Sequence, residues 1–198
     1  MKVMAVHKVA SDSGPASGLI VWPDSSIVKK CRVIFMPSYP SGCAVITGIG
    51  ARIDRLGKSI TKKYSSRYFN EVAPVAMVVS KETAEVITSH GNPCCDGIVA
   101  DYAVICGEFI PKESLDSGKE FSFRMQDMEG NARKQISIPA GDVSQELEEA
   151  VVHASVSNTL KTGDIVVSVN LAGCFEAEAD CRLIATFGDS KLMNFKLK

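Results

Sequence analysis

Long apolar runs, blocks of like charge and paired-cysteine motifs are all missing from this sequence, and each absence closes off a class of protein. No window approaches the roughly 18 apolar residues of a membrane span. The start, Met1-Lys-Val-Met-Ala-Val-His-Lys8, lacks the apolar stretch of about 7–15 residues that a secretory signal needs. Lys plus Arg number 22 against 23 Asp plus Glu, so the formal charge is −1, and no five like charges stand together. That is not the footprint of a protein that grips a phosphate backbone, so neither nucleic acid nor a membrane is expected as a partner. The seven cysteines are odd in number and none forms a Cys-x-x-Cys pair, which speaks against a secreted disulfide framework and a zinc ribbon. Adjacent Cys94 and Cys95 read as two free thiols in a loop, because a bond between neighbours distorts the peptide. A cytoplasmic location is expected.

What the sequence has is enough apolar material for one core. At 198 residues and 45 % hydrophobic, it is expected to form a single domain over 1–198 without help from disulfides or a structural metal. Short runs rich in Val and Ile, punctuated by Gly, Pro, Asn, Asp and Ser, mark a mainly β protein with minor α content. The runs fall at 18–22, 27–35, 43–49, 72–79, 97–106, 121–125, 133–138, 165–171, 181–187 and 192–197. Reversals are expected at 22–27 and 187–191. One helix is well signalled: Asp142 as cap, Gln145 three residues on, and Val143, Leu147, Ala150, Val151 and Ala154 on one face. A shorter helix is expected after Ser80, through Thr83, Val86 and Ile87.

Few patterns point to chemistry. Gly48-Ile-Gly50 and Gly57-Lys58-Ser59 hint at nucleotide binding, but Ile53 and Arg52 stand where the dinucleotide and phosphate loops need glycine. A basic surface loop over 52–63 is the expectation. There is no Gly-x-Ser-x-Gly elbow, and His7, His90 and His153 lie far apart without a second ligand at metal spacing. Each histidine reads as solvated or hydrogen-bonded. Asp101 is more informative, because alternation over 97–107 places it in a row with Val99, Ala103 and Ile105. A carboxylate in such a row is costly unless paired, hydrogen-bonded or metal-bound. Two readings stay open: an edge strand with Asp101 facing water, or a carboxylate at the rim of a pocket.

At this strand the sequence resembles the fumarylacetoacetate hydrolase family. Val99-Ala-Asp101-Tyr-Ala-Val-Ile-Cys-Gly107 is similar to the family's Glu-x-Glu-Leu-Ala-Val-Val-Ile-Gly, which supplies two metal ligands. Thr159-Leu-Lys-Thr-Gly-Asp-Ile-Val166 resembles Thr-Leu-x-Pro-Gly-Asp-Val-Ile, and it continues into Ser168-Val-Asn-Leu-Ala-Gly173, where the family has Thr-Gly-Thr-Pro-Ala-Gly. Gly188-Asp-Ser-Lys-Leu-Met-Asn194 keeps the spacing of the closing Gly-x-Gly-x-Leu-x-Asn. The resemblance runs over 43–198 and leaves 1–42 as an N-terminal β segment. It implies a compact mixed β-roll or β-sandwich, a homodimer, and a small oxo-acid or diketone substrate. The implied cofactor is magnesium, manganese or calcium, which stabilises an enolate as a carbon–carbon bond breaks.

The same comparison assigns site residues and shows departures. Asp101 is implied as a metal ligand, completed by Glu108 or Asp116, while its partner position is Val99, which cannot coordinate a hard cation. Asp54 stands where the family has its catalytic His. Ser168, Asn170 and Gly173 are implied in substrate binding. Two functions follow: a divergent metal-assisted hydrolase or lyase with a largely eroded metal site, or a catalytically inactive protein of the same fold that serves as an oligomeric small-molecule-binding or scaffold protein.

Overall fold

The computed structural model describes residues 1–10, 16–28, 33–93, 100–169 and 173–198. Its elements are β1 (Val3–Val9), β2 (Ala16–Trp22), β3 (Ile27–Val28), β4 (Val33–Ile34), β5 (Cys43–Ile53), α1 (Lys62–Ser65), β6 (Phe69–Ser80), α2 (Lys81–Thr88), β7 (Val104–Cys106), β8 (Ile110–Pro111), β9 (Glu120–Gln126), β10 (Ala132–Pro139), α3 (Ala140–Ser157), β11 (Ile165–Ser168), β12 (Cys174–Ala177), β13 (Arg182–Phe187) and β14 (Ser190–Leu197).

The strands form two sheets. Among the described residues the larger runs β2-β1-β11-β5-β6-β7-β3, with β12 also on β5 and β8 also on β6; the smaller runs β10-β9-β13-β14-β4. Most neighbours are antiparallel, but β1 pairs β11, β3 pairs β7 and β4 pairs β14 in parallel. The expected mainly β, mixed architecture is the one observed.

The long central pair explains why its sequence reads as nearly unbroken apolar runs. In β5 and β6 the buried residues follow one another without alternation, the pattern of strands covered on both faces. Met4, Val6, Val45, Ile49 and Ile53 point to one side, where they meet Val143, Leu147 and Val151 of α3 and Phe121, Phe123 and Phe195 of the smaller sheet. Val3, Ala5, Ala44, Ile46, Met77 and Val104 point to the other, where α2 contributes Ala84 and Ile87 and β2 contributes Trp22. The short helix expected after Ser80 is α2, and Ser80 caps it, its Oγ accepting from the Thr83 amide at 3.2 Å.

Several boundaries differ from expectation. Asp142 does not cap α3: the helix starts at Ala140, directly off β10, so Asp142 sits inside the first turn and Gln145 bonds Glu149 instead. The strand expected over 97–106 is not continuous over its described part, 100–106. Pairing begins at Val104, while Asp101 and Tyr102 form a turn with Tyr102 in the left-handed region at φ 57°. Of the run 27–35, Ile27–Val28 joins the larger sheet as β3 and Val33–Ile34 the smaller as β4, with 29–32 outside the described residues. The N-terminal alternation is itself a strand, β1, as is Cys174–Ala177; neither stands out by Val/Ile content.

Candidate functional site

Ser168 and Gly173 lie against the middle of β5. Ser168 ends β11 opposite Ile49, fully buried, and its Oγ is 3.4 Å from Glu146 Oε2 of α3. The Gly173 carbonyl accepts from both the amide and the hydroxyl of Thr47, at 3.1 and 3.0 Å. Asn170 lies outside the described residues, as do Val99, Cys94 and Cys95.

The carboxylates do not gather there. Cys43 pairs with Ser80 at one end of the β5–β6 ladder and Ile53 with Phe69 at the other. Asp101 belongs to the first end, since the Ala103 carbonyl accepts from the Val78 amide at 2.8 Å. Asp54 belongs to the second, its amide donating to the Tyr68 carbonyl at 3.0 Å. With a rise of about 3.3 Å per residue, roughly 30 Å of strand separates them. Asp54 is engaged locally by the Asn70 amide nitrogen and by Arg55 Nε at 3.1 Å.

Asp101 itself is exposed on its turn, at the rim of an apolar groove that includes Ile27, Ile34, Phe35 and Tyr102. Glu108 is exposed, with its amide bound to the Leu192 carbonyl at 2.7 Å. Asp116 is exposed on the Lys112–Ser117 turn, which is anchored through Lys112 Nζ to the Ser66 carbonyl, 2.6 Å, near the Asp54 end. Among the described residues no three His, Cys, Asp or Glu side chains stand close enough to share a cation. A hard divalent ion wants about six oxygen ligands. This donor set does not fit one.

The Gly57-Lys58-Ser59 stretch is likewise committed elsewhere. The Gly57 amide donates to the Leu160 carbonyl at 3.0 Å, Ser59 to the Ser155 carbonyl at 2.8 Å and Ile60 to Ser155 Oγ at 2.8 Å. These amides cannot also cradle a phosphate.

A site that the sequence does not single out opens beside Gly173. A cavity of about 130 Å³ lies on the α2 side of the larger sheet, with His7 and Lys8 from β1, Ile46 from β5, Ile87 and Thr88 from α2, and His90 just after it. His7 is 2 % exposed, and neither Nδ1 nor Nε2 has a hydrogen-bond partner among the described residues. The expected solvated or hydrogen-bonded His7 is instead buried, with no described residue in bonding geometry. Burial lowers its pKa below the usual 6.5, and the positive fields of His153 and His90 add to this; the Gly91 carbonyl pulls the other way without reaching bonding geometry. The one signal in the sequence is that His7 continues the apolar row of Val3 and Ala5.

The described cysteines supply no obvious nucleophile. Burial pushes the Cys106 thiol up to about 12 and raises Cys43 and Cys174 as well, which keeps them protonated and unreactive.

No protein-family model matches the sequence, and no curated protein matches it significantly. The fold, by contrast, has clear counterparts among solved structures. One, from Yersinia pestis CO92, is described as a fumarylacetoacetate hydrolase family protein; it is 16 % identical, with 100 % of this chain covering 93 % of that one at a TM-score of 0.77. The fumarylpyruvate hydrolase of Pseudomonas aeruginosa, solved with Mn2+ and pyruvate, is 16 % identical at a TM-score of 0.72, over 100 % and 89 % of the two chains. The 2-hydroxyhepta-2,4-diene-1,7-dioate isomerase of Mycobacterium marinum is 16 % identical at 0.74, over 99 % and 73 %. Likeness at this identity is a likeness of fold.

Proposed function

We propose that this chain, which shares the fold of the fumarylacetoacetate hydrolase proteins, is a small-molecule-binding protein that does not carry the metal-assisted carbon–carbon chemistry associated with that fold. The observation that carries the reading is the dispersal of the carboxylates: Asp101 on an exposed turn at one end of β5, Asp54 and Asp116 toward the other. The cavity beside Gly173 supports retention of a binding role. Assembly as a homodimer, which the resemblance implies, is part of this proposal and is read directly by light scattering.

A competing reading, a metal-assisted hydrolase or isomerase acting on a small oxo-acid, is favoured by the likeness to a hydrolase solved with Mn2+ and pyruvate. Melting temperature decides between the two, measured with magnesium, manganese and calcium, each with and without oxalate as an enolate mimic. A ligand at 100 times its Kd adds about 2.7 kcal/mol, and each kcal/mol moves Tm by roughly 2–4 °C in a chain of this size. No shift is expected. A shift of several degrees that disappears in Asp101→Ala would overturn the proposal in favour of the enzyme.

A further inference from the structure

We propose that the His7 cavity binds a short aliphatic carboxylate without metal, taking up one proton on the His7 ring as the ligand enters. This rests on the metal-independent binding role proposed above and names its ligand class. Three independent features of the site point to it.

The first is the orphaned ring. A buried polar group without a partner carries the cost of its desolvation, and among the described residues the Gly91 carbonyl, short of bonding geometry, offsets only part of it for His7. Gly18, opposite His7 in the β1–β2 ladder, leaves room for the imidazole: a Cβ there would lie 2.4 Å from His7 Cε1. His7 is also among the residues that line the cavity. At about 130 Å³ this space is far larger than the roughly 10–15 Å³ that one water requires.

The second is charge. Among the described residues, the ionisable side chains that line the cavity are His7 and His90, with no carboxylate; Lys8 borders it too, but its side chain continues the row of Met4 and Val6 toward α3, where Nζ lies 3.7 Å from Glu146 Oε1. His153 of α3 adds a further positive influence on His7. Such surroundings favour an anion. A neutral imidazole offers one donor and one acceptor, whereas the imidazolium offers two donors, so a carboxylate brings with it the reason for the proton. One N–H then meets the carboxylate, and the nearby Gly91 carbonyl is an acceptor for the other.

The third is the apolar wall. Ile46, Ile87 and Val169 line the same space and are suited to a short alkyl chain rather than to a second polar group. An oxo group, useful for chelating a cation, has no role here.

The proton balance is simple: neutral His7, a carboxylate anion and one proton give an imidazolium–carboxylate pair, with no bond broken. Propionate is the probe, titrated into the full chain by calorimetry in EDTA, in two buffers of different ionisation heat, from about pH 7.5 to about pH 5.5. Uptake of one proton is expected, with Kd rising about tenfold for each pH unit above the free-state His7 pKa. The His7 ring nitrogens should move to imidazolium shifts in the nuclear magnetic resonance spectrum of the wild-type protein, and His7→Leu should abolish both signals. Propionate binding without proton uptake, no binding in EDTA at the acid end, or binding retained in His7→Leu overturns the inference and leaves the metal-independent role standing. Binding that requires added manganese overturns both.

Discussion

Gly18 faces His7 across the β1–β2 ladder, and the missing side chain at 18 is what allows the imidazole to lie buried over β2. The contact leaves no slack: a methyl at 18 would also meet His7 Nε2 at 2.5 Å and Val9 Cγ2 at 3.0 Å. Gly18→Ala is therefore expected to destabilise the fold by about 1–3 kcal/mol through overpacking and to weaken propionate binding by displacing the ring. Urea denaturation reads the first effect and calorimetry the second; an unchanged midpoint would show that the ring moves aside freely.

His7 should also leave a mark on stability against pH. Its folded pKa lies below the usual 6.5 because burial disfavours the charged ring, while in the unfolded chain it titrates near its ordinary value, about 6.5. Between those two values the unfolded state holds more protons, so this contribution rises with pH. On acidification it is fully present above about 6.5 and is lost as pH falls toward the folded pKa. His7→Leu removes the orphaned group at similar volume, and the expected result is a flatter profile with stability at neutral pH unchanged or raised. A wild-type profile as flat as the variant's would contradict the assignment.

Asp164 is a structural pin. It is 3 % exposed, and its two carboxylate oxygens accept from the Lys2 amide at 3.0 Å and the Lys161 amide at 2.9 Å. It thereby ties the start of β1 to β11 across 162 residues. Asp164→Ala strands buried amides and should cost about 1–3 kcal/mol, whereas Asp164→Asn, which keeps one acceptor, should cost less. Equal losses in the two variants would argue against this role.

The two aspartates that the resemblance assigns to chemistry should behave differently from each other. Asp101 is exposed on a turn, so Asp101→Ala is expected to change stability by less than about 0.5 kcal/mol. Asp54 bonds Asn70 and pairs with Arg55, so Asp54→Ala should cost about 1 kcal/mol. Paired chemical denaturation curves check both; a large loss at Asp101 would mean that its carboxylate holds a partner in solution.

Much of the framework was legible in advance because it depends on local pattern. The apolar runs in 43–49 and 72–79 mark the central strands, which need continuous hydrophobicity because both their faces are covered. Ser80 signals its helix through a short side chain that reaches the amide three residues on. Over its described part the strand expected at 97–106 fails because alternation carries no information about Tyr102, whose left-handed φ of 57° is not an extended conformation, and pairing starts only at Val104. Asp142 fails as a cap because a strand runs straight into the helix and supplies its start from outside the expected motif.

The sequence by itself determined a neutral, mainly β chain with one amphipathic helix, and its motif order pointed to the fumarylacetoacetate hydrolase fold that solved structures share with it. Only the tertiary structure decided which polar residues meet. It set Asp54 and Asp101 at opposite ends of one ladder and brought His7, His90 and Gly173 to one cavity. The physical reason is that patterns of period two or 3.6 report which face a residue takes, while the partner on that face is chosen by pairing between strands such as β1 and β11, which are far apart in the sequence.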